Sequence, residues 1–201
     1  MTTILVVEDI ESVRTLIETQ LKLRGYLVVT ARDGEEALAL IAQDPPSVLV
    51  TDILMPRVDG FSLAHRLRSQ PKTAGIPIIF LSATYVSAED ERFALELGAR
   101  RFLPKPVDAD ELFIAVADAL THQPEAAPSM DEREFYVGYR QRLEAKLRQK
   151  VGQIARVQSQ LETAPEDPHD TYRRLLAEAQ AQRDEIQREL AALINLLRDL
   201  K

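Results

Sequence analysis

The sequence predicts an α/β protein, a doubly wound five-stranded parallel sheet followed by an antiparallel α-helical hairpin. Three observations carry that reading. Through roughly the first 120 residues, short apolar runs alternate with segments whose apolar side chains recur at helical spacing, the pattern of parallel strands joined by right-handed crossovers. The texture changes after Leu120: Thr121-His122-Gln123-Pro124-Glu125-Ala126-Ala127-Pro128 contains proline and no glycine, so residues 122–129 read as a moderately stiff linker between a first domain, 1–121, and a second, 130–201. In that second part, apolar residues recur every seven positions, the periodicity of long helices packed along a seam.

Strands are expected at Ile4–Val7, Tyr26–Ala31, Val48–Ile53, Ile76–Leu81 and Arg101–Leu103. The third is an unbroken apolar run between Pro45-Pro46 and Met55-Pro56, as a strand buried on both faces requires. Val13, Leu16, Ile17, Leu21 and Leu23 mark the apolar face of a helix stopped by Gly25. Further helices are expected over Glu35–Ala42, Phe61–Ser69, Ala88–Leu97, stopped by Gly98, and Ala109–Leu120.

In the hairpin's later arm, Tyr172, Ala179, Ile186, Leu193 and Leu200 repeat every seven residues, and Leu176, Leu190 and Leu197 fill the alternate row around Arg183. In the earlier arm Leu147, Ile154 and Leu161 form one row, and Val137 and Val151 are placed in the other. Ser129 with Glu132 reads as a capping box that starts the first arm. Pro165 and Pro168 break the helix, and Asp167 as cap with Pro168 at the first helical position restarts it. Arms of about 30 residues would each span about 45 Å. Leu143, Val157, Leu175, Ile194 and Leu196 fall off the seams, and Gly138, Ala145, Gly152 and Ser159 form a stripe of small residues. A glycine inside a helix costs roughly 1 kcal/mol against alanine, which a closely approaching helix would offset. The expectation is therefore a homodimer through residues 130–201, two hairpins forming a four-helix bundle. The competing expectation is a hairpin folded back on its own first domain.

Composition narrows the function classes. The absence of cysteine excludes disulfides and thiolate metal sites. The chain opens without a basic segment and Glu8-Asp9 cut the first apolar run short, so Ile4–Val7 is a strand and not a signal peptide. No apolar run approaches the ~20 residues of a membrane span, and a cytoplasmic location without membrane contact is expected. The net charge of −7 is confined to the first part, where residues 1–130 hold 19 acidic and 12 basic side chains against 13 of each in 131–201. A nucleic-acid partner is disfavoured on both counts.

The chemistry gathers at the carboxyl ends of the strands, where open α/β sheets bind their ligands. Asp52 ends the third strand and Glu8-Asp9 follow the first, so three carboxylates are expected on one rim. Like charges held close repel, and an oxygen-only set without His or Cys suits Mg²⁺ or Mn²⁺. The fourth strand delivers the hydroxyl of Ser82, and the fifth delivers the ammonium of Lys105, set between Pro104 and Pro106 and carrying a candidate cis Lys-Pro bond. Cation, hydroxyl and ammonium around a carboxylate suit phosphoryl transfer to that carboxylate.

Over about residues 2–121 the sequence resembles the response-regulator receiver domains of two-component signalling, with Glu8-Asp9, Asp52, Met55-Pro56 with Asp59-Gly60, Ser82 and Lys105-Pro106 in the family's order. The resemblance implies that Asp52 takes a phosphoryl group from a histidine kinase or a small phosphodonor. It implies that Asp9, Asp52 and the backbone carbonyl of Leu54 bind Mg²⁺ directly, with Glu8 acting through water. It implies that Ser82 and Phe102 form the switch, the aromatic ring turning inward when the hydroxyl moves to the phosphate. Leu54 is apolar where many receivers carry a polar side chain, so slow self-dephosphorylation is expected. The fourth helix, fifth strand and fifth helix would be the responding face, with Arg100 and Arg101 paired to Asp108, Asp110 or Glu111.

The leading expectation is a phosphorylation switch acting through a dimeric coiled coil that an unidentified downstream protein reads. A receiver on the stalk of a truncated larger signalling enzyme is the alternative. Direct DNA binding through Arg140, Arg142, Lys146, Arg148, Lys150 and Arg156 is weaker, because a solvated face paired with acids explains the same charges. None of His65, His122 and His169 is placed as a phosphotransfer histidine would be.

Overall fold

Strands β1 (Thr3–Val7), β2 (Leu27–Ala31), β3 (Val48–Asp52), β4 (Ile78–Ser82) and β5 (Ala99–Pro104) pair in parallel in the order β2-β1-β3-β4-β5, as expected of a doubly wound sheet. They belong to a computed structural model that describes residues 2–83, 87–121, 130–163 and 169–199. The chain divides between residues 130 and 131 into two units. Helices α1 (Glu11–Leu23), α2 (Gly34–Gln43), α3 (Gly60–Arg68), α4 (Ala88–Glu96) and α5 (Ala109–Thr121) alternate with the strands.

Side chains alternate across the sheet, so each central strand feeds two cores. Ile4, Val6, Val48, Val50, Ile79 and Leu81 pack with Ile17 and Leu21 of α1 and with Leu112 and Val116 of α5. On the opposite face Phe61 of α3 meets Phe80 and Phe93 edge-on, each at 5.2 Å between ring centroids. Sealing an aromatic or aliphatic side chain in this way contributes roughly 1.5–3 kcal/mol.

Small differences from the expected boundaries have local causes. Tyr26 is absent from β2 because its N–H donates to Leu21 O at 3.3 Å, closing the end of α1 together with Gly25 N to Lys22 O at 2.9 Å and Gly25 at φ 85°. Ile76 and Pro77 precede β4, since proline cannot donate to a ladder, although Pro77 O accepts from Leu49 N at 2.9 Å. At the rim opposite the strands' carboxyl ends, Arg68 donates to Ala74 O and Ile76 O at 2.9 Å and to Gly98 O at 2.7 Å. Burial pushes this guanidinium down to about 10, still protonated at neutral pH.

The second unit consists of α6 (Glu132–Thr163) and α7 (His169–Asp199), two long helices in contact. The hydroxyl of Tyr139, early in α6, donates to Glu189 late in α7, which makes the pair antiparallel. Ala179, Ile186 and Leu193 are buried along α7, as the heptads require. In α6 the second row differs from expectation: Val137 and Val151 are 37% and 50% exposed, whereas Leu143 and Val157 are buried. Both rows satisfy three-four spacing around Leu147, Ile154 and Leu161, and burial falls on the row of Leu143, half-buried Lys150 and Val157. The cap of α6 also differs. The helix begins at Glu132, and Asp131 Oδ1 accepts from Glu134 N at 2.9 Å, so Asp131 takes the capping role read from Ser129. The linker 122–129 with His122 and Ser129, the Asp167-Pro168 restart and Leu200 lie outside the described residues, as do the side chains of His169 and Leu196.

Candidate functional site

The parallel register builds the site. Val7 pairs with Thr51, which sets Glu8 beside Asp52 just beyond the ladder. Ligand oxygens of Glu8, Asp9 and Asp52 all lie within 4.8 Å of one another. Asp52 in turn pairs with Leu81, and Ser82 follows at the end of β4, facing Pro104 of β5. Lys105 therefore emerges on the same rim, its backbone N–H donating to Ser82 O at 2.8 Å and its bond to Pro106 cis. Its Nζ bridges two carboxylates, at 2.8 Å from Asp52 Oδ2 and 2.5 Å from Glu8 Oε2.

Three carboxylates thus face one ammonium. At separations from 2.5 to 4.8 Å each pair of unit charges interacts by roughly 3–7 kcal/mol in an effective dielectric of about 20, several times a surface ion pair. Burial raises the Glu8 carboxyl above the usual carboxylate range, with Asp52 adding to the rise and Lys105 opposing it. Burial raises Asp52 as well, against the pull of Lys105 and of the Ile53 N–H, which donates to Asp52 Oδ1 at 2.7 Å. Burial alone would lower the Lys105 ammonium, but Asp52 and Glu8 outweigh it and hold it raised. One lysine leaves two negative charges of the ionised set uncompensated, and the donors are all oxygen. A hard divalent cation fits both features.

Glu8, Asp9, Asp52, Ser82 and Lys105 stand on this rim. Glu8 and Ser82 are fully buried, Asp52 is nearly so, and Asp9 is exposed toward solvent. Leu54 sits half-buried two residues beyond Asp52. Phe102 is half-buried in β5, lining a groove of about 380 Å³ with Leu95, Leu103 and Ile114. The expected partners of Arg100 and Arg101 are corrected. Both reach Asp118, at 3.2 and 3.6 Å, while Asp108 Oδ1 caps α5 and Asp110 pairs with Arg24 at 2.9 Å. Helix α5 runs antiparallel to β5, so its last turn, not its first, returns beside the strand's start. His65 is buried within α3.

Sequence reasoning missed Arg14, whose Nη1 donates to the carbonyls of Glu8 at 2.6 Å and Asp9 at 3.3 Å, tying the acidic turn to α1. It also missed Asp33, whose Oδ1 accepts from Glu36 N at 2.9 Å; an aspartate before Gly34-Glu35-Glu36 is a helix-start signal.

Residues 4–117 match the model of the response regulator receiver domain. Among curated proteins, the chain is 41% identical over 124 residues to the probable transcriptional regulator ycf27 of Guillardia theta, covering 62% of this chain and 47% of that protein. It is 41% identical over 114 residues to the response regulator PleD of Caulobacter vibrioides, covering 56% of this chain and 25% of PleD. The chain thus spans about half or less of the length of these relatives. Among solved structures, the Francisella response regulator 1452 receiver domain superposes with a TM-score of 0.57 at 35% identity, over 60% of this chain and 98% of that one. The chemotaxis response regulator CheY4 of Vibrio cholerae gives 0.56 at 32%, over 60% and 99%. Helices α6 and α7 carry no family assignment. With its sheet order, its rim of carboxylates bridged by a lysine and the match over residues 4–117, the chain belongs to the response regulator receiver family.

Proposed function

We propose that Asp52 is the phosphoacceptor of a Mg²⁺- or Mn²⁺-dependent switch, charged by a histidine kinase, whose state alters a coiled-coil output read by a partner protein. The observation that carries this reading is the ammonium of Lys105 bridging Asp52 and Glu8 beside Asp9. An oxygen of Asp52 bonds to phosphorus, the phosphorus–nitrogen bond of the kinase phosphohistidine breaks, and the imidazole nitrogen takes a proton from water. Lys105 and the Ser82 hydroxyl offer hydrogen bonds to the phosphoryl oxygens. Glu8, Asp9, Asp52 and the Leu54 carbonyl would hold the cation, which supplies charge neutralisation when bound. The apolar Leu54 side chain cannot orient an attacking water, so the acyl phosphate should persist well beyond seconds.

Phosphorylation adds roughly two negative charges, and Ser82 with Phe102 would carry their effect to the groove between α4, β5 and α5. Residues 1–121 would act as the receiver, 122–129 as a linker and 130–201 as a homodimerising output in the cytoplasm. Exposed Val137, Val151 and Leu175 on the hairpin support the dimer. A second reading, receiver plus stalk of a larger signalling enzyme, is favoured by the coverage of only 25% of PleD; the full reading frame tests it.

Acetyl phosphate with Mg²⁺ should add one phosphoryl mass to the chain, lost in Asp52→Asn and on chelation. Undiminished labelling of Asp52→Asn would remove the acceptor assignment. Sedimentation with and without beryllofluoride should show a dimer whose stability depends on the phosphate mimic.

A further inference from the structure

The loop between β3 and α3, residues 53–59, carries the Leu54 carbonyl past the acceptor. It closes on itself through Gly60 N to Ile53 O at 2.8 Å and Val58 N to Pro56 O at 2.9 Å. It is also held from outside, by the start of α2. Gly34 N donates to Val58 O at 3.0 Å, an approach that glycine alone permits, because a Cβ there would lie 2.5 Å from that oxygen. Asp33 divides its two oxygens: Oδ1 caps α2, and Oδ2 is paired with Arg57 Nη2 from the loop. Arg57 Nε lies a further 3.6 Å from Glu35 Oε2.

Arg57 has φ 68°, in the left-handed region that glycine adopts freely and an arginine occupies at a cost. Glycine would serve the backbone better, so what arginine adds is its side chain, and that side chain reaches a carboxylate only 1% exposed. These ion pairs run to Asp33 and Glu35 and not to the acidic cluster, so Arg57 is no catalytic residue. We infer that Arg57 is a positioning residue: with Asp33 it clamps the β3–α3 loop to α2, presenting the Leu54 carbonyl and the Asp52 carboxylate to the cation. The inference rests on the proposed cation site, and its primary readout, cation affinity without phosphodonor, is separate from phosphoryl transfer. Groups that orient metal ligands from outside typically change affinity by about 10- to 100-fold.

The test titrates Mg²⁺ into the full chain by calorimetry, with thermal melts lacking Mg²⁺ and labelling by acetyl phosphate alongside. Arg57→Gly should melt within a few degrees of the parent, since relief of the backbone offsets loss of the ion pair, while Mg²⁺ affinity falls about tenfold. Asp33→Asn keeps a capping oxygen and removes the charge, and it should lose affinity by the same factor. The double variant should lose no more than either alone, and Arg57→Lys should recover most of the loss. Unchanged affinity in Arg57→Gly and Asp33→Asn, or losses that add in the double variant, would overturn the clamp. A parent chain that binds Mg²⁺ but takes no phosphoryl group would overturn the acceptor reading and leave the clamp decided by affinity. A parent chain that binds no Mg²⁺ would overturn both.

Discussion

The sheet unit and the helical hairpin bury apolar surface by the same rule in different dimensions. In the sheet, β3 and β4 are buried along their whole length, and register lines up loops distant in sequence, so that Lys105 meets Glu8 across 97 positions. In the hairpin each contact lies along one seam, and the seam itself holds half-buried Lys150 and Arg183. Charge is handled differently too. Lys105 is surrounded by carboxylates that raise it, whereas burial, and then Lys146, lower the ammonium of Lys150. A two-dimensional sheet makes an edge where chemistry can converge. A hairpin makes a line, suited to association and to small changes of register.

Substitutions in each unit test whether edge and line behave so differently. The largest effect belongs to the rim. Lys105→Ala should slow phosphoryl uptake from acetyl phosphate by about 100-fold or more, as removal of a preorganised charge donor does, while the helical circular dichroism of the hairpin stays intact. Uptake at the parent rate would mean the lysine pairs with the carboxylates for stability alone.

Next comes the hairpin seam. Ile186→Ala removes a fully buried side chain and should destabilise α6 and α7 by about 2–4 kcal/mol in denaturant unfolding, with phosphoryl uptake unaltered. A matching loss of uptake would show that the two units do not act independently.

The smallest effect concerns Lys150. Because its folded-state value lies below the ordinary 10.5, the unfolded chain binds that proton more tightly. The penalty is therefore full at neutral pH and is relieved as pH rises through the folded value toward 10.5. Lys150→Leu should stabilise the hairpin by up to about 1 kcal/mol at neutral pH, and the gap from the parent should narrow in alkaline melts. A gap that widens with pH would reverse the sign of the shift.

Much of the receiver unit was legible in its sequence. Apolar runs bounded by prolines locate strands, the glycines at 25 and 98 stop helices where left-handed backbone is needed, and parallel order follows from alternation. Asp52, Glu8, Asp9, Ser82 and Lys105 were readable because each stands at a strand's end, and strand ends share one rim. Other features have no one-dimensional signature. Heptad spacing around Leu147, Ile154 and Leu161 admits two neighbouring rows, and only the packed helix shows Leu143 and Val157 sealed in place of Val137 and Val151. The pairing of Arg100 and Arg101 with Asp118 depends on which turn of α5 returns beside β5.

Composition and spacing along the chain specify the type and order of the receiver unit's strands and helices, their ends to within a residue or two, and the acidic, hydroxyl and ammonium groups that reach the common edge, because propensity, periodicity and turn chemistry act within a few residues. It takes the packed fold to show that Lys105 bridges Glu8 and Asp52, that Arg14 and Arg57 pair with groups on the flanking loops, and which stripe of α6 is sealed. Those outcomes depend on distances between groups far apart along the chain, which strand register and helix rotation set and local composition does not encode.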